Sequence, residues 1–173
     1  MTWGDSESVK RKSEEGPEMG KFVVGIGNVL LMDEGVGCHV VHALERIPLP
    51  DVEVVDGGTC PDALELLEDA DKLVIVDAVK GGGTPGQVYR FHPEDITLEQ
   101  EPVLSLHDMS LVDSLKLMQL WHNIDEVVII GVEPGEIGWG LELSSKLEER
   151  MPQIIDAILS ELNDTSPKGE MKC

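Results

Sequence analysis

The chain has 173 residues, 41% of them hydrophobic, which is enough for one domain with a core and too few for two ordinary domains. Asp and Glu number 34 against 13 Lys and Arg, so the formal net charge at pH 7 is −21. A chain this acidic is a poor partner for nucleic acid or an anionic membrane face, because both carry negative charge, and we expect neither.

Both ends of the chain are polar and predict tails. Residues 1–20 carry charges throughout and lack the apolar stretch of a secretory signal, so they are predicted to be a disordered tail. Residues 163–173 predict a second, flexible tail, which leaves 21–162 as a single domain.

The cysteines predict a reducing environment. Cys38, Cys60 and Cys173 are odd in number and have no paired spacing, so they indicate no disulfide framework. Because free thiols persist in reducing compartments, we expect a cytoplasmic protein.

Apolar runs and helical patterns alternate along the domain. Strands are predicted at 22–26, 52–55, 73–76, 87–91 and 127–132. Helices are predicted at 36–46 and 62–69, from Ser105, and from Ser145, where Ser145 and Glu148 form a capping box. This alternation predicts an α/β fold with a mostly parallel sheet covered on both faces.

The fourth predicted strand is expected to run in the opposite direction to its neighbour. The connection before it, 78–87, is short and has no helical pattern. A parallel crossover needs a dozen or more residues, so this connection predicts an antiparallel strand.

Acidic residues follow the ends of the predicted parallel strands, where ligands bind in such sheets. Glu34 and Asp77 follow the first and third strands, and His107 opens a helix whose N-terminus favours the neutral, ligating imidazole. Carboxylates with an imidazole form a donor set suited to nickel or zinc. The rival interpretation is that these residues are turn formers and caps, since they form no compact metal motif.

The glycines of the segment Gly25-Ile26-Gly27 invite comparison with a dinucleotide-binding loop. The third glycine of that fingerprint is missing, because Leu30 stands in its place, and no helix follows at once. A tight turn from strand to loop is the better interpretation of these glycines.

A thiol–imidazole pair is conceivable at Cys38 and His42, which share one face of a predicted helix. No third group in the motif orients the imidazole, so a plain surface face of the helix is favoured.

Several motifs resemble one known family. They are the run Gly25-Ile-Gly-Asn-Val-Leu-Leu-Met-Asp-Glu-Gly-Val-Gly37, Asp56-Gly-Gly-Thr59, Asp77-Ala78 and Ser105-Leu-His107. From about 21 to 162, the chain resembles the hydrogenase maturation proteases, endopeptidases that trim the C-terminus of the large subunit of nickel–iron hydrogenases. The resemblance implies a three-layer α/β/α fold with a five-stranded sheet, a monomer, and a large-subunit precursor as partner.

The resemblance also implies the site. Its metal contacts fall on Glu34, Asp77 and His107, and the metal is nickel already inserted in the substrate, although other divalent metals can occupy the same ligands. The chain has neither a Gly-x-Ser-x-Gly nor a His-Glu-x-x-His motif, so we expect metal-assisted hydrolysis with the same three residues as catalytic groups. Residues that orient ligands or shape the loop form a second group: Asn28, Asp33 and Asp56.

Three other functions remain open from the sequence. The first is a non-catalytic chaperone that binds metal or precursor through the same residues. The second is a nucleotide-dependent enzyme on a Rossmann-like sheet. The third is a thiol enzyme that uses Cys38 or Cys60.

Overall fold

A five-stranded sheet forms the centre of the computed structural model, which describes residues 20–59, 64, 67, 69–95 and 122–164. The strands are β1 (Lys21–Ile26), β2 (Val52–Gly58), β3 (Ala70–Ala78), β4 (Val88–Phe91) and β5 (Ile124–Val132). Their spatial order is β2-β1-β3-β5-β4. All pairs are parallel except β4 with β5, so the predicted mostly parallel α/β sheet and its one reversed strand are confirmed.

Strand β3 shows why the sheet is buried on both faces. Its side chains alternate, so Val74 and Val76 lie in one hydrophobic core, whereas Leu73 and Ile75 lie in a second core on the opposite face. All four side chains are fully buried. A central parallel strand therefore needs an unbroken apolar run, which is the pattern in the sequence.

Two α-helices in the described ranges cover the first face. Helix α1 (Val36–Leu44) follows a 3₁₀ turn at Met32–Gly35, and helix α2 (Ser145–Asn163) follows the loop after β5. Both helices contribute apolar side chains to the first core: Val36, Val40 and Leu44 from α1, and Leu147, Ile154 and Ile158 from α2. Helix α1 ends earlier than the predicted 36–46.

The second face is covered by Leu64 and Leu67, both buried against β1 and β3. The rest of the predicted helix 62–69 and the helix predicted from Ser105 lie outside the described residues, as do 1–19 and 165–173 of the two predicted tails. Within the described ranges, no helix is long and apolar enough to cross a membrane.

The predicted capping box at Ser145 and Glu148 is wrong. The residue at the N-cap of α2 is Ser144, and its side chain makes no capping hydrogen bond. Its hydroxyl donates instead to the buried carboxylate of Asp33, at 2.7 Å, so the hydroxyl is engaged elsewhere. A charged acceptor in a buried setting forms the stronger hydrogen bond.

Lysines from the sheet bind the C-terminal end of α2, whose last turn has no basic residue of its own. Lys21 Nζ donates to the carbonyl of Leu162 at 2.6 Å, and Lys72 Nζ donates to that of Glu161 at 2.8 Å. The last carbonyls of a helix lack the i+4 amides that satisfy its interior carbonyls, and the positive charges also suit the negative end of its dipole. The helix is thereby fixed to the amino ends of β1 and β3.

A buried ion pair strengthens the same attachment. The Glu161 carboxylate lies 2.7 Å from Lys72 Nζ and 2.6 Å from Arg90 Nε, and Glu161 and Lys72 are only 6% and 4% exposed. The hydrogen bonds from Arg90 and then Lys72 outweigh the effect of burial and lower the pKa of Glu161. The amino end of the sheet is therefore held by charge as well as by packing.

We expect Glu161→Gln to lower the free energy of unfolding at neutral pH by about 3 kcal/mol, because buried Lys72 loses its closest counter-ion. Since the folded pKa is lowered from 4.5, the folded protein binds fewer protons at this site than the unfolded chain. The stabilisation that Glu161 provides is complete above the unfolded pKa of 4.5, and it is lost as the pH falls through the lower folded pKa. Urea unfolding should therefore show the difference from wild type shrinking in acid.

The matched control is Glu53→Gln, which changes an exposed residue of β2 and should alter stability by less than about 0.5 kcal/mol at any pH. A difference for Glu161→Gln that does not depend on pH would contradict the assignment.

Candidate functional site at the sheet switch point

The connections from β1 and β3 leave the carboxyl end of the sheet in opposite directions. From β1 the chain passes through α1 on one face to β2, and then returns past the other face to β3 on the opposite side of β1. Adjacent strands whose connections leave in opposite directions form the usual ligand-binding crevice of open α/β sheets. Here that crevice lies outside the carboxyl ends of β1 and β3.

Glycines allow the backbone to pack closely at this point. A Cβ at Gly37 would overlap the carbonyl oxygens of Ile26 and Val76, and a Cβ at Gly27 would overlap that of Glu34. Gly27 also has a φ of 147°, which L side chains rarely adopt. The N-terminus of α1 therefore lies directly on the ends of β1 and β3, and the predicted tight turn is confirmed.

Two of the three predicted site residues lie at this crevice. Asp77, only 4% exposed, is near the end of β3, and its Oδ1 accepts a hydrogen bond from the amide of Ala78 at 2.8 Å. Glu34 is half-buried in the 3₁₀ turn that packs against β3. His107 lies outside the described residues. Among the residues that are described, no group of three or more His, Cys, Asp or Glu side chains is arranged to hold a metal ion.

Asp33 joins the two loops that border the crevice. Its fully buried carboxylate accepts hydrogen bonds from the amides of Gly135, Glu136 and Ser144 and from the Ser144 hydroxyl, all between 2.7 and 2.8 Å. A carboxylate with four donors is well compensated for its burial. The loop after β1, including the neighbouring Glu34, is thereby held against the segment after β5.

Glu133, at the end of β5, holds a third loop. Its Oε2 accepts hydrogen bonds from Tyr89 Oη at 2.8 Å and from the amides of Gly81 and Gly83 at 2.6 and 3.3 Å. Burial raises the pKa of Glu133, but these hydrogen bonds outweigh it and the pKa lies below its ordinary value. This carboxylate therefore fixes the glycine-rich loop that follows β3.

Cys38 and His42 both interact with Asp56, not with each other as a catalytic pair. His42 is exposed, as predicted for a surface face of the helix, and its Nε2 lies 3.0 Å from Asp56 Oδ2. Cys38 is fully buried, so the surface interpretation is wrong for this residue. Burial, with the hydrogen bond and the charge of Asp56, raises the pKa of the Cys38 thiol to about 12. The thiol therefore stays protonated and is a poor nucleophile.

The residues predicted to orient ligands or shape the loop all form local turns or anchors. Asn28 Oδ1 accepts a hydrogen bond from the amide of Leu30 at 3.0 Å, and Asp56 Oδ1 accepts one from Gly58 at 2.9 Å. With Asp33 they support the loop-shaping part of the prediction. No local pattern indicated the partners of Asp33, because Gly135 and Ser144 are remote from it in the chain.

An acidic crevice at the switch point of an open α/β sheet is a common setting for an enzyme site, but the fold alone does not name the reaction. The family model described as hydrogenase maturation protease matches residues 38–161. The chain is 32% identical to the hydrogenase 2 maturation protease of Escherichia coli K12, over 83% of this chain and 91% of that protein. It is also 32% identical to a putative hydrogenase maturation protease of Methanocaldococcus jannaschii, over 82% and 95%.

Solved structures agree with these relatives. The maturating endopeptidase HybD of E. coli superimposes with a TM-score of 0.72 at 29% identity, covering 83% of this chain and 92% of HybD. The [NiFe] hydrogenase maturation protease HycI of Thermococcus kodakarensis gives 0.65 at 26% identity, covering 86% and 95%. The chain belongs to the hydrogenase maturation protease family, and it is a hydrolase with a protease role in hydrogenase maturation.

We expect Asp33→Asn to lower the free energy of unfolding by about 3 kcal/mol. The NH₂ group that replaces one carboxylate oxygen is itself a donor, so it would face the loop amides without accepting their hydrogen bonds. Urea unfolding measures the change. Asp125→Asn is the matched control, since Asp125 is exposed on β5 and should shift stability by less than about 0.5 kcal/mol. Equal stability of the two variants would show that the Asp33 hydrogen bonds are not important for the fold.

Proposed function

We propose that this protein cleaves the C-terminal extension from the nickel-loaded large-subunit precursor of a nickel–iron hydrogenase. The observation that carries the proposal is the position of Asp77 and Glu34 at the switch-point crevice of a chain that belongs to this protease family. We also propose that the protein acts as a monomer in the cytoplasm.

Glu34, Asp77 and His107 are the proposed ligands and catalytic residues. Two carboxylates and an imidazole are an oxygen and nitrogen donor set that suits nickel, and other divalent metals can bind the same set. The nickel belongs to the substrate, because it arrives in the precursor. Carboxylates at the same partly buried edge of a sheet also favour a cation, since it reduces their repulsion.

Hydrolysis requires that water attacks the scissile carbonyl. A metal ion bound at this site would polarise that carbonyl or acidify a water molecule. Asp77 is held in place by its hydrogen bond from the Ala78 amide, so its carboxylate can keep a fixed orientation at the crevice. Glu34 or Asp77 would accept a proton from the attacking water and pass it to the departing amine as the C–N bond breaks, and His107 would complete the ligand set.

The state of Cys38 supports water as the nucleophile. A thiol nucleophile must be accessible and readily deprotonated, whereas Cys38 is fully buried and has a pKa of about 12. Cys60 lies outside the described residues. The missing third glycine and the close packing at Gly27 likewise speak against a nucleotide-binding loop.

A chaperone that binds the precursor through the same residues is the second candidate. It requires the same ligands but no bond cleavage. The relatives favour hydrolysis, because several are named as proteases or endopeptidases.

The intact mass of a large-subunit precursor, incubated with and without this protein, tests the proposal. We expect a C-terminal peptide to be lost from the nickel-loaded precursor and retained by the metal-free form. Asp77→Asn and His107→Ala should each slow cleavage by about 100-fold or more, because each removes a group that acts on the reacting atoms. Asp125→Asn serves as the control with unchanged activity.

Other results of the mass measurement would separate the nickel requirement, the proposed site residues and the chaperone. Cleavage of both precursor forms would contradict recognition of nickel but keep the protease. Full activity after loss of both Asp77 and His107 would overturn the proposed site. A stable complex with the loaded precursor and no loss of mass would favour the chaperone.

A further inference from the structure

An exposed apolar face lies beside the candidate site. Among the residues that the structure describes, the large hydrophobic side chains that are exposed are Leu30 (49%), Ile137 (46%), Trp139 (86%) and Leu141 (65%). They are not scattered, because Leu30 is on the loop after β1 and the other three are on the segment after β5. We call these four residues the apolar loop face. Grouped exposed hydrophobic residues are typical of interaction sites.

Backbone hydrogen bonds hold the two parts of the apolar loop face together. Gly140 N donates to the carbonyl of Leu30, and Met32 N donates to that of Gly140, both at 3.0 Å. Leu31 and Gly140 form a parallel β-bridge between these bonds. The neighbouring Asp33 adds its hydrogen bonds to Gly135 and Ser144. The face is therefore presented by a fixed framework, which lowers the entropy cost of binding.

The charges around the face favour a partner with a basic edge. Glu136 and Glu142 are exposed at the two ends of the stretch that carries Ile137, Trp139 and Leu141, and the segment 133–144 contains no Lys or Arg. With a net charge of −21, two copies of this chain repel each other, and so do the chain and an anionic lipid surface. A surface with an apolar centre and Lys or Arg at its edge is complementary.

The position of the face points to the substrate. Leu30 lies on the same loop as Glu34, and the segment that carries Trp139 is bound to that loop through Asp33. We infer that the apolar loop face docks the folded body of the polypeptide whose scissile segment enters the crevice, through an apolar surface edged by Lys and Arg. This inference rests on the proposed function, and it identifies a surface that binds the substrate away from the bond that is cleaved.

Binding of the full-length protein to the nickel-loaded precursor tests the inference separately from cleavage. Trp139→Ser should raise the dissociation constant by about 30-fold, since exposed tryptophans that become buried are frequent hot spots. Trp139→Phe keeps a flat apolar ring and should restore most of the affinity. The cleavage rate at saturating precursor should stay within about twofold of wild type for both variants, because uniform binding affects KM and not kcat.

A pair of charge reversals tests the basic edge. Glu142→Lys, next to Leu141 of the apolar loop face, should slow association at low salt, whereas Glu53→Lys, near the amino end of β2, makes the same change of charge remote from the face. Equal effects of the two variants would mean that only net charge matters and would overturn the complementary edge.

Three results would overturn the docking surface itself. The first is an unchanged dissociation constant for Trp139→Ser. The second is self-association of the wild-type protein in sedimentation that Trp139→Ser abolishes. The third is binding to phosphatidylglycerol vesicles that the same substitution abolishes. Either result would assign the apolar loop face to another occupant. Wild-type protein that binds the precursor without cleaving it would contradict the proposed hydrolysis, but a loss of affinity in Trp139→Ser would still support docking.

Discussion

The buried carboxylate of Asp33 is the interaction on which the arrangement of the candidate site depends. It accepts hydrogen bonds from three backbone amides and one hydroxyl, which come from the segment between β5 and α2. That segment would otherwise meet the loop after β1 with several buried donors and no acceptor, at an appreciable cost in free energy. The same carboxylate holds the position of Glu34 and, through Ser144, the start of α2.

The two ends of the sheet have different tasks. At the amino end, Lys21 and Lys72 bind the last carbonyls of α2, and Glu161 completes a buried ion pair. At the carboxyl end, Asp33 and Glu133 hold the loops that border the candidate site. Charged groups therefore fix the scaffold at one end and shape the site at the other, which is the usual division between a rigid frame and functional loops.

Much of the fold follows from local sequence, whereas much of the site does not. The strands were predictable because apolar runs such as 73–76 must be buried on both faces, and the reversed β4 followed from a short connection. The surface position predicted for Cys38 was wrong, because helical spacing shows which residues share a face but not what packs against that face. The neighbour of Cys38 is Asp56 on β2. The N-cap at Ser144 and the partners of Asp33 depend on contacts between distant segments, and no local pattern encodes them.

Amide hydrogen exchange in Asp33→Asn tests the central role of this carboxylate most directly. We expect the amides of Gly135, Glu136 and Ser144 to lose protection in the variant, because their acceptor is weakened. The amide of Ile75, in the middle of the buried β3, should lose only the protection that the lower free energy of global unfolding explains, and it should still exchange more slowly than the three loop amides. Unchanged protection of the three loop amides would contradict the claim that Asp33 holds the two loops together.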